Sequence, residues 1–161
     1  MKTDRTDRRI LKVLQEDGRL SKVKLAEAVN LSTSPAWERV KRLEEAGVIT
    51  GYHAVIDFRQ LLSLTTVKVE IVLKHHRRED FERFESLVIS IDEIICCEAV
   101  GGGVDYILTV VTPDIDSYQR LIDHLLLVEP GIDRYYSYIV TKTIKDDQTP
   151  LMQRLLDSLD E

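Results

Sequence analysis

The chain has 161 residues, of which 43% are hydrophobic and 31% charged, and its formal net charge is −6. This length allows one large or two small domains, and the composition is typical of a folded globular protein rather than a disordered one. Because no apolar run approaches the roughly 20 residues of a membrane span, and the start MKTDRTDRR does not resemble a signal peptide, we expect a cytoplasmic protein without membrane contact.

The first predicted element is an amphipathic helix over residues 4–17. Its apolar residues, such as Ile10, Val13 and Leu14, are separated by charged ones, and Gly18 provides a stop signal. We interpret this element as a scaffold helix that lies behind the two helices that follow.

Residues 20–47 indicate a helix-turn-helix. A short helix begins at Ser21, which can act as its N-cap, and a turn with Leu31 as its buried residue follows. The next helix begins at Ser32 or Thr33, since both residue types cap helix N-termini well. In this layout the second helix is offered to the major groove of DNA.

The second of these helices has two contrasting faces. Ala36, Val40 and Leu43 form an apolar stripe at spacings of four and three residues. Pro35 falls in the first turn, where its missing N–H group costs least. The residues predicted to project from the opposite side are Pro35, Glu38 and Arg42, flanked by Arg39 and Lys41.

After the helix-turn-helix the apolar pattern changes its period. Val48–Ile49 and Tyr52–Ile56 look like two short strands, which would form the wing of a winged helix-turn-helix, although the second could equally be a connector. A short turn or helical piece is expected at 58–62. Because no Pro- or Ser-rich linker occurs here, we predict a structured hinge at residues 51–63.

The second half of the chain predicts the order strand, helix, strand, strand, helix, strand. This order is typical of a ferredoxin-like fold, in which a four-stranded antiparallel sheet carries both helices on one face. The predicted strands are 65–73, 93–100, 105–111 and 133–143, and the predicted helices are 80–90, 115–129 and a short final helix or frayed tail at 151–159.

These elements predict an α+β protein. Its parts are a winged helix-turn-helix domain at 1–50, the hinge at 51–63, a ferredoxin-like βαββαβ domain at 64–145 and a C-terminal helix or tail at 146–161. The second face of the sheet carries apolar and aromatic side chains, as in the strand YYSYIV, that two helices cannot cover. We therefore expect it to pack against a second copy of the chain.

The charge is unevenly distributed along the chain. Residues 1–56 have a net charge of +3, whereas residues 57–161 have a net charge of −9. A basic front and an acidic back suit a DNA-binding domain joined to a part that does not touch DNA.

Several stretches together resemble the Lrp/AsnC, or feast/famine, transcriptional regulators. DRTDRRILKVLQEDGR looks like the family's first helix, LSTSPAWERVKRLEEAGVI like its helix-turn-helix, GYHAVID like its hinge strand and CEAVGGGVDYIL like its effector-domain motif. The resemblance covers essentially the whole chain. It implies a ferredoxin-like sensor domain, dimers that often assemble into octamers, and small effectors, usually amino acids, bound between sensor domains.

Two positions depart from the common family pattern. Gly103 stands where many members have a carboxylate, which bears on how an amino-acid ammonium would be held, and Trp37 stands where a smaller aliphatic residue is more usual. The Gly-Gly-Gly-Val-Asp-Tyr and Ser-Pro-x-Trp-x-Arg combination looks like the branch associated with ectoine-degradation operons.

The predicted DNA-binding residues lie on the second helix of the helix-turn-helix and at the start of the preceding one. Arg and Lys side chains can pair with guanine or hold phosphates, Glu38 can accept from cytosine or orient Arg42, and helix starts suit anions. The alternative for this set is an ordinary solvated helix face. For Trp37, core packing is preferred over base contact. The set is Ser21, Lys22, Ser32, Thr33, Ser34, Pro35, Trp37, Glu38, Arg39, Lys41 and Arg42.

The predicted effector-binding residues surround a glycine run between two strands. Three glycines allow positive φ and expose backbone N–H groups that can cradle a carboxylate, but they also suit a tight β-turn. Asp105 can accept from an ammonium group or cap the turn. The set is Gly101, Gly102, Gly103, Val104, Asp105, Tyr106 and Tyr136.

Other reactive residues favour no catalytic or metal site. Cys96 and Cys97 are adjacent and lack metal-ligand spacing, and His75–His76 reads as a solvated loop. We expect no cofactor besides a small-molecule effector, and no enzyme activity. The alternatives are an architectural DNA-binding protein without effector and a tetrapyrrole enzyme similar to siroheme decarboxylases, which resemble the same family.

Overall fold

A computed structural model describes residues 2–129, 131–146 and 149–158. The chain divides into two compact units, one formed by residues 1–56 together with 145–161, and the other by residues 57–144. The elements in chain order are α1 (Arg5–Glu16), α2 (Lys22–Ala28), α3 (Thr33–Glu45), a 3₁₀ turn (Phe58–Gln60), β1 (Thr65–Leu73), α4 (Arg78–Ile89), β2 (Ile94–Ala99), β3 (Tyr106–Thr112), α5 (Ile115–Val128), β4 (Ile132–Ile139) and α6 (Thr149–Ser158). In the described parts of the chain, no helix is long and apolar enough to cross a membrane.

The first unit contains the predicted helix-turn-helix. The apolar stripe of α3, formed by Ala36, Val40 and Leu43, is buried against Ile10 of α1 and Leu25 of α2. Burial of these side chains, rather than helix propensity, holds such short helices together. The three-helix arrangement predicted from the apolar spacing is confirmed.

The turn between α2 and α3 depends on one left-handed residue. Asn30 has φ 56°, and the N–H of Leu31 then donates to the carbonyl of Ala26 at 2.9 Å, which closes the end of α2. Asparagine tolerates this conformation better than most residues. Gly47, with φ 68°, similarly follows the end of α3.

The predicted wing strands are not present. Residues 46–57, all of them described, contain no β-strand, and the chain runs without regular structure until the 3₁₀ turn. Tyr52 folds back instead: its hydroxyl donates to Glu44 at 2.9 Å, and its ring lies beside Gly18. Val55 and Ile56 consequently remain exposed. A strand needs a ladder partner, and this segment has none within the described chain.

The second unit has the predicted ferredoxin-like topology. All strand pairs are antiparallel and the strand order is β2-β3-β1-β4. The core lies between one face of the sheet and the two helices α4 and α5, where Phe84, Tyr106 and Ile122 are buried. The α+β fold class is thereby confirmed, with element ends that differ from the prediction by a few residues.

The largest difference in strand length is in β4. The sequence predicts a strand over 133–143, whereas β4 ends at Ile139. Val140 still donates to the carbonyl of Thr66 at 2.9 Å, but β1 begins at Thr65, so within the described chain no strand extends beside residues 142–143. Alternating polar and apolar residues cannot reveal where the partner strand stops.

The C-terminal helix α6 belongs to the first unit. It packs near α1, and the side-chain amide of Gln153 donates to Glu16 at 3.0 Å. Residues 146–161 were predicted to be a separate short helix or tail, whereas the described part of that segment belongs to the helix-turn-helix unit and contains the helix α6.

Candidate nucleic-acid interface and effector region

The outward face of α3 carries three of the predicted DNA-binding residues. Ser34, Glu38 and Lys41 are exposed and follow one another at spacings of four and three residues, so they lie opposite the buried apolar stripe. Among the described residues these three side chains have no hydrogen-bond or ion-pair partner. The outward face therefore presents a hydroxyl, a carboxylate and an ammonium group to solvent.

The start of α2 lies beside the same helix. The Ser21 hydroxyl accepts the N–H of Lys24 at 3.3 Å and caps α2. The Lys22 ammonium stands 3.8 Å from the centre of the Trp37 ring, a cation–π contact. Trp37 itself is half-buried against the apolar cluster of the helix-turn-helix. The preferred interpretation of Trp37 as packing agrees with this placement.

The first turn of α3 contributes the remaining small residues of the predicted set. Ser32, Thr33 and Pro35 are all exposed. Ser32 is the N-cap residue, but its side chain makes no capping hydrogen bond. These side chains thus border the outward face at the helix N-terminus, where N–H groups favour a phosphate.

Arg42, predicted to project outward, and Arg39, predicted to flank that side, are both ion-paired to α1, although the Arg42 side chain remains 51% exposed. The Arg39 guanidinium donates to Asp4 at 2.5 Å and to Asp7 at 2.8 Å, and Arg42 donates to both carboxylate oxygens of Asp7 at 2.7 Å. On a helical wheel both arginines lie between the buried and the outward faces, on the side of α1. The prediction missed this because it considered α3 alone.

The carboxylates that hold these arginines close the N-terminus of α1. Asp4 is the N-cap, and the Asp4 and Asp7 side chains each accept the backbone N–H of the other, at 2.8 and 3.0 Å. The hydrogen bond from Arg39 is the main reason that the pKa of Asp4 lies below its usual value, and the same contact raises the pKa of Arg39. The Asp-x-x-Asp spacing of a capping box was the available sequence signal.

The glycine run of the effector motif forms an open loop between β2 and β3. Gly101, Gly102 and Gly103 are exposed, and a Cβ atom at any of them would meet nothing within 4 Å. Gly102 has φ 146°, a conformation that other residues rarely adopt. The loop has room for a ligand, but it is also the turn that joins two neighbouring strands.

Asp105 is engaged within the chain. Its carboxylate accepts the backbone N–H of Leu73 at 2.8 Å and contacts the His76 ring nitrogen at 3.0 Å. The N–H that it accepts belongs to the end of β1 and not to the glycine turn, so these contacts do not display the predicted capping of the turn. His76, interpreted from the sequence as part of a solvated loop, is 59% exposed and remains the partner of this carboxylate.

The other predicted effector residues do not meet in one site. Tyr106 is buried, its ring lies 4.6 Å from that of Phe84, and its hydroxyl donates to Glu85 at 2.7 Å. Tyr136 is exposed on β4, which is separated from β3 by β1. Val104 is half-buried beside Asp105. The Tyr106 ring therefore fills the core and does not line the open glycine loop.

The face of the sheet that the helices leave open carries a mixed surface. Strand register places Lys68 and Glu70 of β1 there, with Tyr136 and Tyr138 of β4 opposite them. Tyr138 donates to Glu70 at 3.2 Å. Thr66, Val72, Cys96, Ile107, Thr109 and Val111 belong to the same face. It thus combines aromatic and aliphatic groups with internally bonded polar ones.

Two grooves occur elsewhere on the described surface. One, of about 1060 Å³, lies in the first unit between α1, residues 48–55 and α6; the other, of about 580 Å³, lies between the end of α4 and α5. Neither is lined by the predicted effector residues. The described part of the chain contains no group of three or more His, Cys, Asp or Glu residues placed to hold a metal ion.

Comparisons with known families divide the chain into two parts, as the fold does, with somewhat different boundaries. Residues 3–50 match the family described as winged helix-turn-helix DNA-binding, and residues 66–150 match the Lrp/AsnC ligand binding domain. Together they cover most of the chain, and residues 1–2, 51–65 and 151–161 lie outside them.

Individual relatives give the same result. The chain is 56% identical to the transcriptional regulatory protein DoeX of Halomonas elongata over 90% of this chain and 92% of that protein. It is 41% identical to the leucine-responsive regulatory protein of Escherichia coli K12 over 88% and 87% of the two chains.

Solved structures extend the similarity to three dimensions. An AsnC family transcriptional regulator from Agrobacterium tumefaciens is 36% identical with a TM-score of 0.82, covering 89% of this chain and 94% of that one. A Neisseria meningitidis transcriptional regulator in complex with L-Met is 32% identical with a TM-score of 0.84, covering 92% and 96%. The two family models match in the order expected for the family, and the relatives are similar over most of their length. The chain therefore belongs to the Lrp/AsnC family of DNA-binding transcriptional regulators.

Proposed function

We propose that this regulator binds a pseudo-palindromic operator as a homodimer and responds to an amino acid or a related metabolite. The observation that carries the DNA part is the outward face of α3, where Ser34, Glu38 and Lys41 are exposed opposite the buried stripe. Glu38 can accept from a cytosine amino group, and Lys41 can reach guanine or phosphate. Lys22 and the helix starts would supply backbone contacts.

Dimerisation is proposed through the open face of the sheet. Tyr136 and Tyr138 are 46% and 51% exposed there, next to aliphatic side chains of β1 and β3. A second copy would cover this surface and bring two copies of α3, the proposed recognition helix, to one operator. Four such dimers would form the octamer implied by the family resemblance.

The effector is proposed to lie at the glycine loop, between sensor domains of neighbouring chains. The loop of Gly101–Gly103 is open, and its N–H groups can approach a carboxylate. The L-Met complex of the Neisseria relative supports an amino acid as the ligand class. The similarity to DoeX supports the branch that the sequence resembles. A DNA-binding regulator of this kind would work in the cytoplasm.

DNA titrations of the full chain test the proposed recognition face. Lys41→Ala should weaken binding to a fragment of the regulated promoter by about tenfold, since one good base contact contributes roughly 1–3 kcal/mol. Lys142→Ala removes the same charge from an exposed site in the other unit and should change little. Equal affinity of the Lys41 variant and the parent protein would contradict the proposed face.

Sedimentation velocity tests the assembly and the effector together. Tyr136→Asp should shift the protein toward monomer, whereas Leu127→Asp, at a 79% exposed position of α5, should not.

Adding single amino acids to the parent protein should change oligomer size or operator affinity for at least one of them. A stable monomer at micromolar concentration would contradict the dimer, and no response to any ligand would favour an architectural DNA-binding protein.

A further inference from the structure

A buried carboxylate joins the scaffold helix to the recognition helix. The Asp7 side chain is only 1% exposed, although it belongs to the first turn of α1. It accepts the Asp4 N–H, one hydrogen bond from Arg39 and two from Arg42, which together satisfy both of its oxygens. A buried charge of this kind is costly unless it is fully paired, so its partners are fixed in place.

The consequence for the two arginines is a loss of available charge. Arg39 and Arg42 together face Asp4 and Asp7, so the four groups have no net charge. Arg39 is 29% exposed, with its Nη1 atom bonded to both aspartates. A guanidinium held by a carboxylate in this way has less positive potential to offer a DNA phosphate.

The outward face differs sharply from this side of the helix. Glu38 and Lys41 alternate with the two arginines along α3, yet their side chains contact no polar partner among the described residues. The positively charged residues of α3 therefore fall into two classes that the sequence does not distinguish. Lys41 is available to DNA, and the arginines are engaged by α1.

We propose that Asp7 is a positioning residue for DNA recognition. It holds Arg39 and Arg42 away from the phosphate backbone and fixes the position of α3. The base contacts that read the sequence are then made by Ser34, Glu38 and Lys41. This inference rests on the proposed recognition face. Non-specific attraction to phosphates is sequence-independent, so restraining two arginines raises the ratio of operator to random-sequence affinity.

The salt dependence of DNA binding tests the proposal, because each phosphate contact adds about 0.9 to the slope of log K against log salt. In Asp7→Asn, Arg42 loses its carboxylate partner while Arg39 keeps Asp4, so the slope for random-sequence DNA should steepen by about 1. Affinity for random DNA should rise several-fold at low salt, and the operator preference should fall. Asp17→Asn makes the same charge change at an exposed residue of the same unit and should leave the slope unaltered.

Arg42→Gln gives the converse test. If Asp7 withholds Arg42, the operator slope stays at the parental value; a slope shallower by about 0.9 shows a direct phosphate contact and overturns the proposal. An unchanged slope and unchanged operator preference in Asp7→Asn would also overturn it. Failure of the Lys41 variant to weaken binding would instead contradict the recognition face alone.

Folding of the variants is checked by the emission of Trp37, the single tryptophan of the chain, and by far-UV circular dichroism. If Asp7→Asn does not fold, Asp4→Asn replaces it, because Asp4 is 52% exposed and contacts only Arg39 of the two arginines. That variant should steepen the random-DNA slope by less than about 1, and a parental slope would count against the proposal.

Discussion

The two units hold their helices in place through different kinds of interaction. In the sheet unit, α4 and α5 are held by large buried side chains, including Phe84, Tyr106 and Tyr118. In the helix-turn-helix unit the buried side chains are mostly small or aliphatic, and the edge of the bundle is closed by ion pairs to Asp7. A small helical unit has little apolar area to bury, so polar contacts carry more of its geometry.

The net charges of the two structural units differ from the net charges of the two halves of the sequence. By sequence order the first 56 residues are basic, but the unit that they form also includes residues 145–161. That unit has as many Lys and Arg residues as Asp and Glu residues, so its net charge is zero, and the other unit keeps −6. The proposed DNA contact therefore rests on the local placement of side chains such as Lys41 and not on the net charge of the unit.

The largest expected effect comes from the aromatic core of the sheet unit. Phe84→Ala removes a side chain with no exposed area and should lower the free energy of unfolding of that unit by about 3–5 kcal/mol. Ile89→Ala, at an 84% exposed position of the same helix, is the matched control. Urea unfolding followed by far-UV circular dichroism measures the loss.

Trp37 emission separates the two units in this experiment, because the tryptophan lies in the helix-turn-helix unit. We expect the Trp37 transition of Phe84→Ala to stay at the parental urea concentration. Equal shifts of the Trp37 and circular dichroism transitions would show that the two units unfold together, and would break the comparison.

A smaller effect is expected from removing α6. Deleting residues 149–161 uncovers the side of α1 that carries Leu11 and Leu14, where Leu156 is half-buried, and removes the bond from Gln153 to Glu16. The free energy of unfolding obtained from the Trp37 transition should fall by about 1–2 kcal/mol, the amount expected for exposing part of one leucine side chain. Arg154→Ala, an exposed change in α6, should have no effect. A parental Trp37 transition in the truncated chain would show that α6 does not support this unit.

The smallest expected effect is a pH dependence at Asp4. Its pKa is lowered in the folded chain, chiefly by the Arg39 hydrogen bond, so the carboxylate stabilises the fold above its unfolded pKa near 3.8. This contribution is lost as the pH falls through the lower folded value. The stability difference between the parent protein and Asp4→Asn, followed by Trp37 emission, should therefore shrink from pH 5 to pH 2.5.

An aspartate of the sheet unit provides the cross-check. Hydrogen bonds with Ser117 lower the pKa of Asp114, the N-cap of α5. Asp114→Asn should alter the acid transition seen by circular dichroism while leaving that of Trp37 in place. A difference between parent and Asp4→Asn that stays constant over the whole pH range would contradict the assigned role of Asp4.

Apolar spacing was sufficient to predict most elements. The 3.6-residue period over Ala36, Val40 and Leu43 and the alternation over 65–73 both place the buried residues correctly, because burial of one face is what those periods record. Element order then limited the second unit to one sheet topology. The two predicted wing strands are absent from the described chain, because two short apolar runs do not reveal whether a partner strand lies beside them.

The sequence by itself determined the helix-turn-helix and the βαββαβ order, since these follow from local period and motif. Only the tertiary structure decided which basic residues remain available, that Tyr106 fills the core, and that α6 joins the first unit. Each of these depends on contacts between residues far apart in the chain. Arg42 and Asp7 are 35 positions apart, and no local pattern around either one reports the other.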